Sequence, residues 1–257
     1  MTANTPFMIK DSVALVTGAN RGLGESFVEA LINRGAKRVY ACARKANMLQ
    51  LLIDRLGDKV VPLELDVTDQ DQVDAAVQEA GDVSLLINNA GVLGSKGLME
   101  AGHLDILAYE MDVNVYGLAR MCLGFAPVLA KNYGGAILNI LSVASLYPFP
   151  PMGSYSATKA AAMSLTQSIA YELQGQDTKV FGTYVGYIDT GMIDHITGDK
   201  TSPYEVAHAS LDGLEAGLNE IDVDDRAQAI RGLRNEGSDA IREAYWHNTD
   251  EFRKNHP

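Results

Sequence analysis

Cysteine is nearly absent. The chain has two, Cys42 and Cys122, far apart and in no CxxC pair, so neither a disulfide framework nor a thiolate metal site has support. Two free thiols in a reducing cytoplasm are the plain expectation. The five histidines stand in no metal-ligand spacing, and no metal is expected. Basic residues are outnumbered 33 to 21; the net charge of −12 opposes non-specific binding to nucleic acid or an anionic membrane, so an anionic ligand must be held by local groups. No run approaches the ~18 uninterrupted apolar residues of a membrane span. Met1–Lys10 also lacks a basic region followed by an apolar stretch. With only eight prolines and 21% charged residues, disorder and fibrous repeats are disfavoured. These absences leave a soluble, cytoplasmic protein as the expectation.

What is present is rhythm. Apolar runs rich in Val, Ile and Leu recur at 13–17, 38–42, 60–65, 84–87, 136–141 and 179–185, as in strands buried on both faces. Helical spacing fills the gaps, for instance at 25–34 and 70–80. Strand alternating with helix predicts an α/β fold: a Rossmann-type doubly wound, mostly parallel sheet with helices on both faces, in a single domain over 1–257. Residues 1–8 read as a loose tail, and about 190–215 as a segment covering the substrate. Asp224–Phe252, with Trp246, is charged and helix-prone.

The first strand ends in Thr17-Gly-Ala-Asn-Arg-Gly-Leu-Gly24 and runs straight into a helix. Glycines at 18, 22 and 24 permit a tight turn and close backbone approach to a pyrophosphate, and the helix start supplies unpaired N–H groups. A side chain at Gly22 or Gly24 should obstruct the dinucleotide. Gly18, Asn20, Arg21, Gly22, Leu23 and Gly24 are therefore the expected cradle, although such a cluster can also be a turn and no more. After the second strand, where a dinucleotide site normally carries an acid for the ribose 2′-hydroxyl, the sequence is Ala41-Cys-Ala-Arg-Lys45. Arg44, Lys45 and Arg21 suit a 2′-phosphate, which favours NADP(H) over NAD(H); the plainer alternative is three solvated charges.

Thr17-Gly-x3-Gly-x-Gly24, Asn88-Asn-Ala-Gly91, Asn114, Ser142 and Tyr155-Ser-Ala-Thr-Lys159, in that order, resemble the short-chain dehydrogenase/reductase family, of the short-branch, single-domain type, over residues 11 to about 192. The resemblance implies that Asn89, Ala90 and Gly91 lie beside the adenosine ribose and that Asp66 and Val67 contact adenine. It also places Gly186, Ile188 and Thr190 around the nicotinamide, with Tyr155 and Lys159 touching the cofactor. Asp66 has a competing role as a cap for the helix starting near Asp69. Asn114 is implied to hold a water in a proton relay to Lys159, and the family habit implies a homodimer or homotetramer.

The chemistry of the catalytic set follows from the residues. Hydride transfer to a ketone creates an alkoxide that needs a proton, and Tyr155 is the candidate donor. Lys159, at i+4, shares its helix face and should favour the phenolate; Ser142 can donate to the substrate oxygen. Each residue alone has a duller role as strand-end cap, helix residue or solvated charge.

Two departures stand out. The turn after the sixth strand reads Val185-Gly186 where the family has Pro-Gly, and the seventh strand, within Asn219–Asp224, is short and acidic, so six strands with a marginal seventh are expected. Ala144, Leu146, Tyr147, Met152, Tyr187, Met192 and His195 should border the reacting carbonyl. An apolar lining suits hydrophobic or aromatic ketones and secondary alcohols, unless these residues pack against each other or a neighbouring subunit. The expected function is NADP(H)-dependent carbonyl reduction or alcohol oxidation on such a small molecule. Its rivals are a dehydratase or epimerase, which would need a longer C-terminal domain, and an NADP(H)-binding redox sensor with little turnover.

Overall fold

The computed structural model describes residues 5–94, 97–194, 196–237, 239–244 and 249. Strands β1 (Val13–Val16), β2 (Arg38–Ala43), β3 (Val60–Glu64), β4 (Leu85–Asn88), β5 (Ala136–Ile140), β6 (Lys179–Tyr184) and β7 (Glu220–Asp222) form one seven-stranded sheet in the order β3-β2-β1-β4-β5-β6-β7. Every pairing is parallel. The marginal seventh strand therefore forms, with three residues, and its pairing of Ile221 with Thr183 extends β6.

Alternation along the strands divides the core in two, because successive side chains point to opposite faces. Ala14, Val16, Leu85 and Ile87 face α1 (Gly22–Asn33) and α8 (Pro203–Glu215), meeting Phe27, Leu31, Val206 and Leu211. Leu15, Leu86 and Ile137 face the opposite layer of α3 (Gln70–Glu79), α6 (Leu118–Lys131) and α7 (Gly153–Glu172), meeting Val73, Phe125 and Ala162. Short α2 (Gln50–Leu56) follows β2, and α4 (Leu98–Ala101) and α5 (Asp105–Met111) follow β4. A π-helical turn, Asp112–Gly117, joins α5 directly to α6. This continuous Asp105–Lys131 rod is long and apolar enough to cross a membrane by length and composition alone. It is instead half buried against α3, α7 and the sheet, and it carries Glu110, Asp112 and Arg120.

Two boundary expectations change. Phe7, inside the supposed tail, packs on the α1/α8 core, and its N–H donates to Leu214 O. The covering segment does not extend to 215, because α8 leaves the cleft and buries Val206, Ala207, Leu211 and Leu214. Its start is set by Ser202, which accepts from Glu205 N while Glu205 reaches back to Ser202 N. Beyond β7, α9 (Asp225–Glu236) and helical residues 239–244 bear out the helical reading, while Trp246 lies outside the described residues. Cys42 and Cys122 are both free and buried.

Candidate active site

A cleft of about 1090 Å³ runs across the C-terminal ends of the strands, where open parallel sheets bind ligands. At one end is the glycine turn. Gly18, Asn20, Arg21, Gly22, Leu23 and Gly24 all line it. Gly22 has φ +57°, a left-handed conformation that favours glycine. Gly24 has a different reason from the one expected: a Cβ there would lie 2.2 Å from Gly18 O and 2.7 Å from Asn89 Nδ2, so it lets the helix start pack on the loop. Thr17 ties this turn to the end of β4: its hydroxyl accepts from Asn89 N and Ala90 N, both at 2.9 Å, and Asn89 Nδ2 donates to Thr17 O at 2.9 Å. The N–H groups of the first helical turn thus face a cleft wide enough for a dinucleotide, and the cradle fits one.

Arg21 and Arg44 are exposed on the cleft wall, and neither side chain forms an ion pair or hydrogen bond with a described residue. Lys45 does not join them. Its ammonium turns away to Glu64 Oε1 at 3.2 Å, which, together with the Ala46 N–H, holds that carboxyl below the usual range. Asp66 and Val67 line the cleft, and Asp66 is not the helix cap: it accepts from Thr68 N and Oγ1, while Asp69 caps α3 by accepting from Asp71 N and Gln72 N. Asn89, Ala90 and Gly91 follow on the wall, as do Gly186, Ile188 and Thr190 across from them.

The catalytic candidates sit at the middle of the cleft. Tyr155 and Lys159 lie near the start of α7, and Lys159 Nζ is 5.7 Å from the phenol ring centre and donates to Ile140 O at 2.8 Å. Ser142, two residues past β5, is buried; its Oγ accepts from Ala144 N at 3.1 Å. Asn114 lies within the π-helical turn, a distortion often found at functional sites. Its amide clamps Val92, accepting from the N–H at 2.8 Å and donating to the carbonyl at 2.9 Å, and it also donates to Thr158 Oγ1 at 3.0 Å. Asn114 and Lys159 share the wall of a second, small cavity of about 10 Å³ below the main one.

The electrostatics differ from the expectation. Part of Tyr155 remains open to the cleft, yet its surroundings are protein, and burial pushes the phenol up to about 12 rather than below 10. The Ser142 hydroxyl opposes this through a hydrogen bond, and the Glu110 carboxylate adds to it. Burial draws Lys159 down to about 8. Desolvation, not the i+4 lysine, therefore sets the direction of the Tyr155 shift. Glu110 was not singled out in the sequence, because a glutamate in an amphipathic segment resembles any surface residue. It is 0% exposed, one oxygen accepts from Gly94 N at 2.6 Å, and the other has no hydrogen-bond partner among the described residues.

Of the substrate candidates, Ala144, Met152, Tyr187 and Met192 line the cleft. Leu146 and Tyr147 do not: both turn into the core beside α7, and Phe149 takes the place on the wall. His195 lies outside the described residues. The covering stretch reaches from Thr190 to Gly198. Opposite it, Arg226, Ala229, Ile230 and Leu233 of α9 close the cleft, a contribution invisible in sequence because it depends on where the chain turns after β7. That turn also replaces the missing proline: Gly186 N donates to Asp224 Oδ2 at 2.8 Å, while Asp224 Oδ1 caps α9 by accepting from Ala227 N at 2.7 Å.

Comparison with known proteins agrees with this geometry. The sequence pattern of the short chain dehydrogenase family matches residues 12–201. The chain is 31% identical over 194 residues to 3-oxoacyl-(acyl-carrier-protein) reductase of Thermotoga maritima, spanning 73% of this chain and 78% of that one. A short chain dehydrogenase from Burkholderia cenocepacia, solved in complex with NADP, superimposes with a TM-score of 0.86 at 39% identity, over 95% of this chain and 99% of the other. A 3-ketoacyl-(acyl-carrier-protein) reductase from Brucella melitensis, complexed with NADH, superimposes with a TM-score of 0.78 at 26% identity, over 84% and 98%.

Proposed function

The chain belongs to the short-chain dehydrogenase family of oxidoreductases, and from that premise we propose that it reduces a ketone or aldehyde with NADPH, or runs the reverse oxidation, with Tyr155 carrying the proton. The observation that carries the reading is one cleft with two arginines, Arg21 and Arg44, unpaired among the described residues, beside the glycine turn, and Tyr155, Lys159 and Ser142 on its central walls. Bound along that cleft, the dinucleotide supplies the hydride.

The remaining steps belong to the protein. The helix N-terminus and glycine turn hold the pyrophosphate, and Arg44 and Arg21 take the 2′-phosphate. Ser142 donates to the carbonyl oxygen and orients it. Tyr155, protonated at neutral pH, gives that oxygen its proton as negative charge develops. Lys159, charged below pH about 8, stabilises the phenolate left behind. Asn114 and Lys159 on the small cavity suit a single water that returns the proton. Ala144, Phe149, Met152 and Ile230 make the reacting end largely apolar, which suits a hydrophobic or aromatic body. The buried, unpaired thiols suit a cytoplasmic setting.

The test is NADPH oxidation with a panel of aromatic and aliphatic ketones, repeated with NADH and with Tyr155→Phe. Turnover favouring NADPH is expected, and loss of the phenol should lower kcat by about 10² to 10⁴ with little change in NADPH affinity. Full activity in Tyr155→Phe would remove the proton-donor role, and NADPH binding without turnover would favour a redox sensor.

A further inference from the structure

The described arginines divide into three groups. Arg34, Arg38, Arg55, Arg120, Arg231 and Arg242 each form an ion pair with a carboxylate. Arg234 forms none with any described residue and instead meets Met163 Sδ at 4.0 Å, off the cleft wall, whereas Arg21, Arg44 and Arg226 form none and all three line the large cleft. In a chain of net charge −12, a guanidinium without a carboxylate is conspicuous, because acidic partners are abundant. Arg21 and Arg44 have a phosphate to meet. Arg226 does not.

Its position separates it from the phosphate end. Arg226 is packed against Gly186, where an added Cβ would lie 2.7 Å from its Cδ, so it stands at the turn after β6. Arg44 follows β2, and β2 and β6 are four strand spacings apart in the sheet, about 19 Å. The guanidinium carbon lies over the Tyr187 ring, 4.4 Å from its centre, a cation–π contact that helps hold the side chain in place. Along α9, Arg226, Ala229, Ile230 and Leu233 follow an i, i+3, i+4, i+7 pattern, one helix face that lines the cleft. Asp225 also reaches the wall but makes no ion pair with its neighbour.

We propose that Arg226 binds a carboxylate carried by the substrate, so that the substrate class is an apolar oxo acid and its hydroxy acid. The three apolar residues above Arg226 take the hydrocarbon body, and the arginine takes the anionic end in a forked, charge-assisted pair. Specificity then comes from leaving Arg226 unpaired when the charge is missing. In the reduction, the hydride goes from NADPH to the ketone carbon and the Tyr155 proton to its oxygen, with the carboxylate unchanged. This inference rests on the oxidoreductase reading above.

The test compares 3-benzoylpropanoate and 5-oxo-5-phenylpentanoate with their methyl esters as substrates, using the wild type, Arg226→Gln and Arg226→Lys. The wild type should favour the better acid over its ester by about tenfold or more in kcat/KM, expressed mainly in KM, as expected for a hydrogen bond to a charged group. In Arg226→Gln that ratio should collapse toward one, and Arg226→Lys should restore part of it. A wild-type preference for the esters, or a ratio unmoved by Arg226→Gln, would overturn the proposal. A binding arm keeps it separate from the catalytic reading: the corresponding hydroxy acids and their esters are titrated calorimetrically into NADP⁺-loaded Tyr155→Phe protein. Acid binding lost on adding Arg226→Gln supports the subsite even if Tyr155 proves dispensable; no acid binding, or equal binding of acid and ester, overturns it.

Discussion

Arg44 stands where a carboxylate would accept the ribose 2′-hydroxyl, and its side chain has no described partner to distract it from a phosphate. Lys45, the next residue, is occupied by Glu64, so on the proposed reading discrimination falls on Arg44 and Arg21. Arg44→Asp should raise the KM for NADPH by about 10- to 100-fold, the worth of a charge-assisted hydrogen bond, and narrow the gap with NADH. Steady-state kinetics with both cofactors measures this, and an unchanged ratio would dismiss Arg44.

The titration of the site offers a second prediction at the same scale. With Tyr155 pushed up to about 12 and Lys159 drawn down to about 8, both carry their protons below pH 8, the state that the proposed reduction requires. Reduction kcat/KM should therefore be flat at neutral pH and fall above about 8 as Lys159 loses its charge. Alcohol oxidation needs the phenolate and should rise with pH. Glu110 disfavours that phenolate by like-charge repulsion. Replacing it in Glu110→Gln should move the oxidation limb to lower pH, while a profile that does not move would deny the coupling.

Among elements, α7 matters most, because it carries both Tyr155 and Lys159 and has to be held at one depth above the sheet. A buried chain of side chains does this: Asn88 Nδ2 donates to Asn139 Oδ1 at 2.9 Å, Asn139 Nδ2 donates to Thr166 Oγ1 at 3.0 Å, and Thr166 donates to Ala162 O at 2.7 Å. These bonds run from β4 through β5 to α7. Asn139→Leu would leave Asn88 and Thr166 each short of a partner in a buried setting, at a cost of about 2 kcal/mol. Urea unfolding should show it as a lower midpoint at unchanged m; a loss below about 0.5 kcal/mol would mean that the network contributes little. The same element explains why Asn88, legible in sequence as part of Asn88–Gly91, faces the core rather than the cofactor.

For the whole molecule, one surface feature is unexplained by the monomer. Tyr116 and Leu123, seven residues apart on the Asp105–Lys131 rod, are 54% and 77% exposed, and Tyr171 on α7 is 77% exposed. Large apolar side chains sharing a helix face mark a contact surface, and a second copy of this chain is the proposed occupant, giving a homodimer or homotetramer through the long helices. Leu123→Glu should convert the oligomer to monomer in light scattering after gel filtration. A wild type that is already monomeric would end this reading.

Sequence alone determined the parts whose signal is local. Apolar runs separated by helical spacing specify a parallel sheet, since strands buried on both faces need no alternation. Closely spaced glycines between strand and helix specify a tight turn at the helix start, and Tyr155 with Lys159 at i+4 specifies a shared helix face. Only the tertiary structure decided what depends on contacts between distant segments. It turned Leu146 and Tyr147 inward and Phe149 toward the cleft, spent Lys45 on Glu64, and buried Glu110 within electrostatic reach of Tyr155. It also used Asp224 in place of a proline and brought Arg226 to the cleft beside Gly186. The physical reason is common to all of these: charge pairing and desolvation depend on separation in space, and a separation of 19 or 40 residues along the chain does not encode that distance until the sheet and its covering helices have set it.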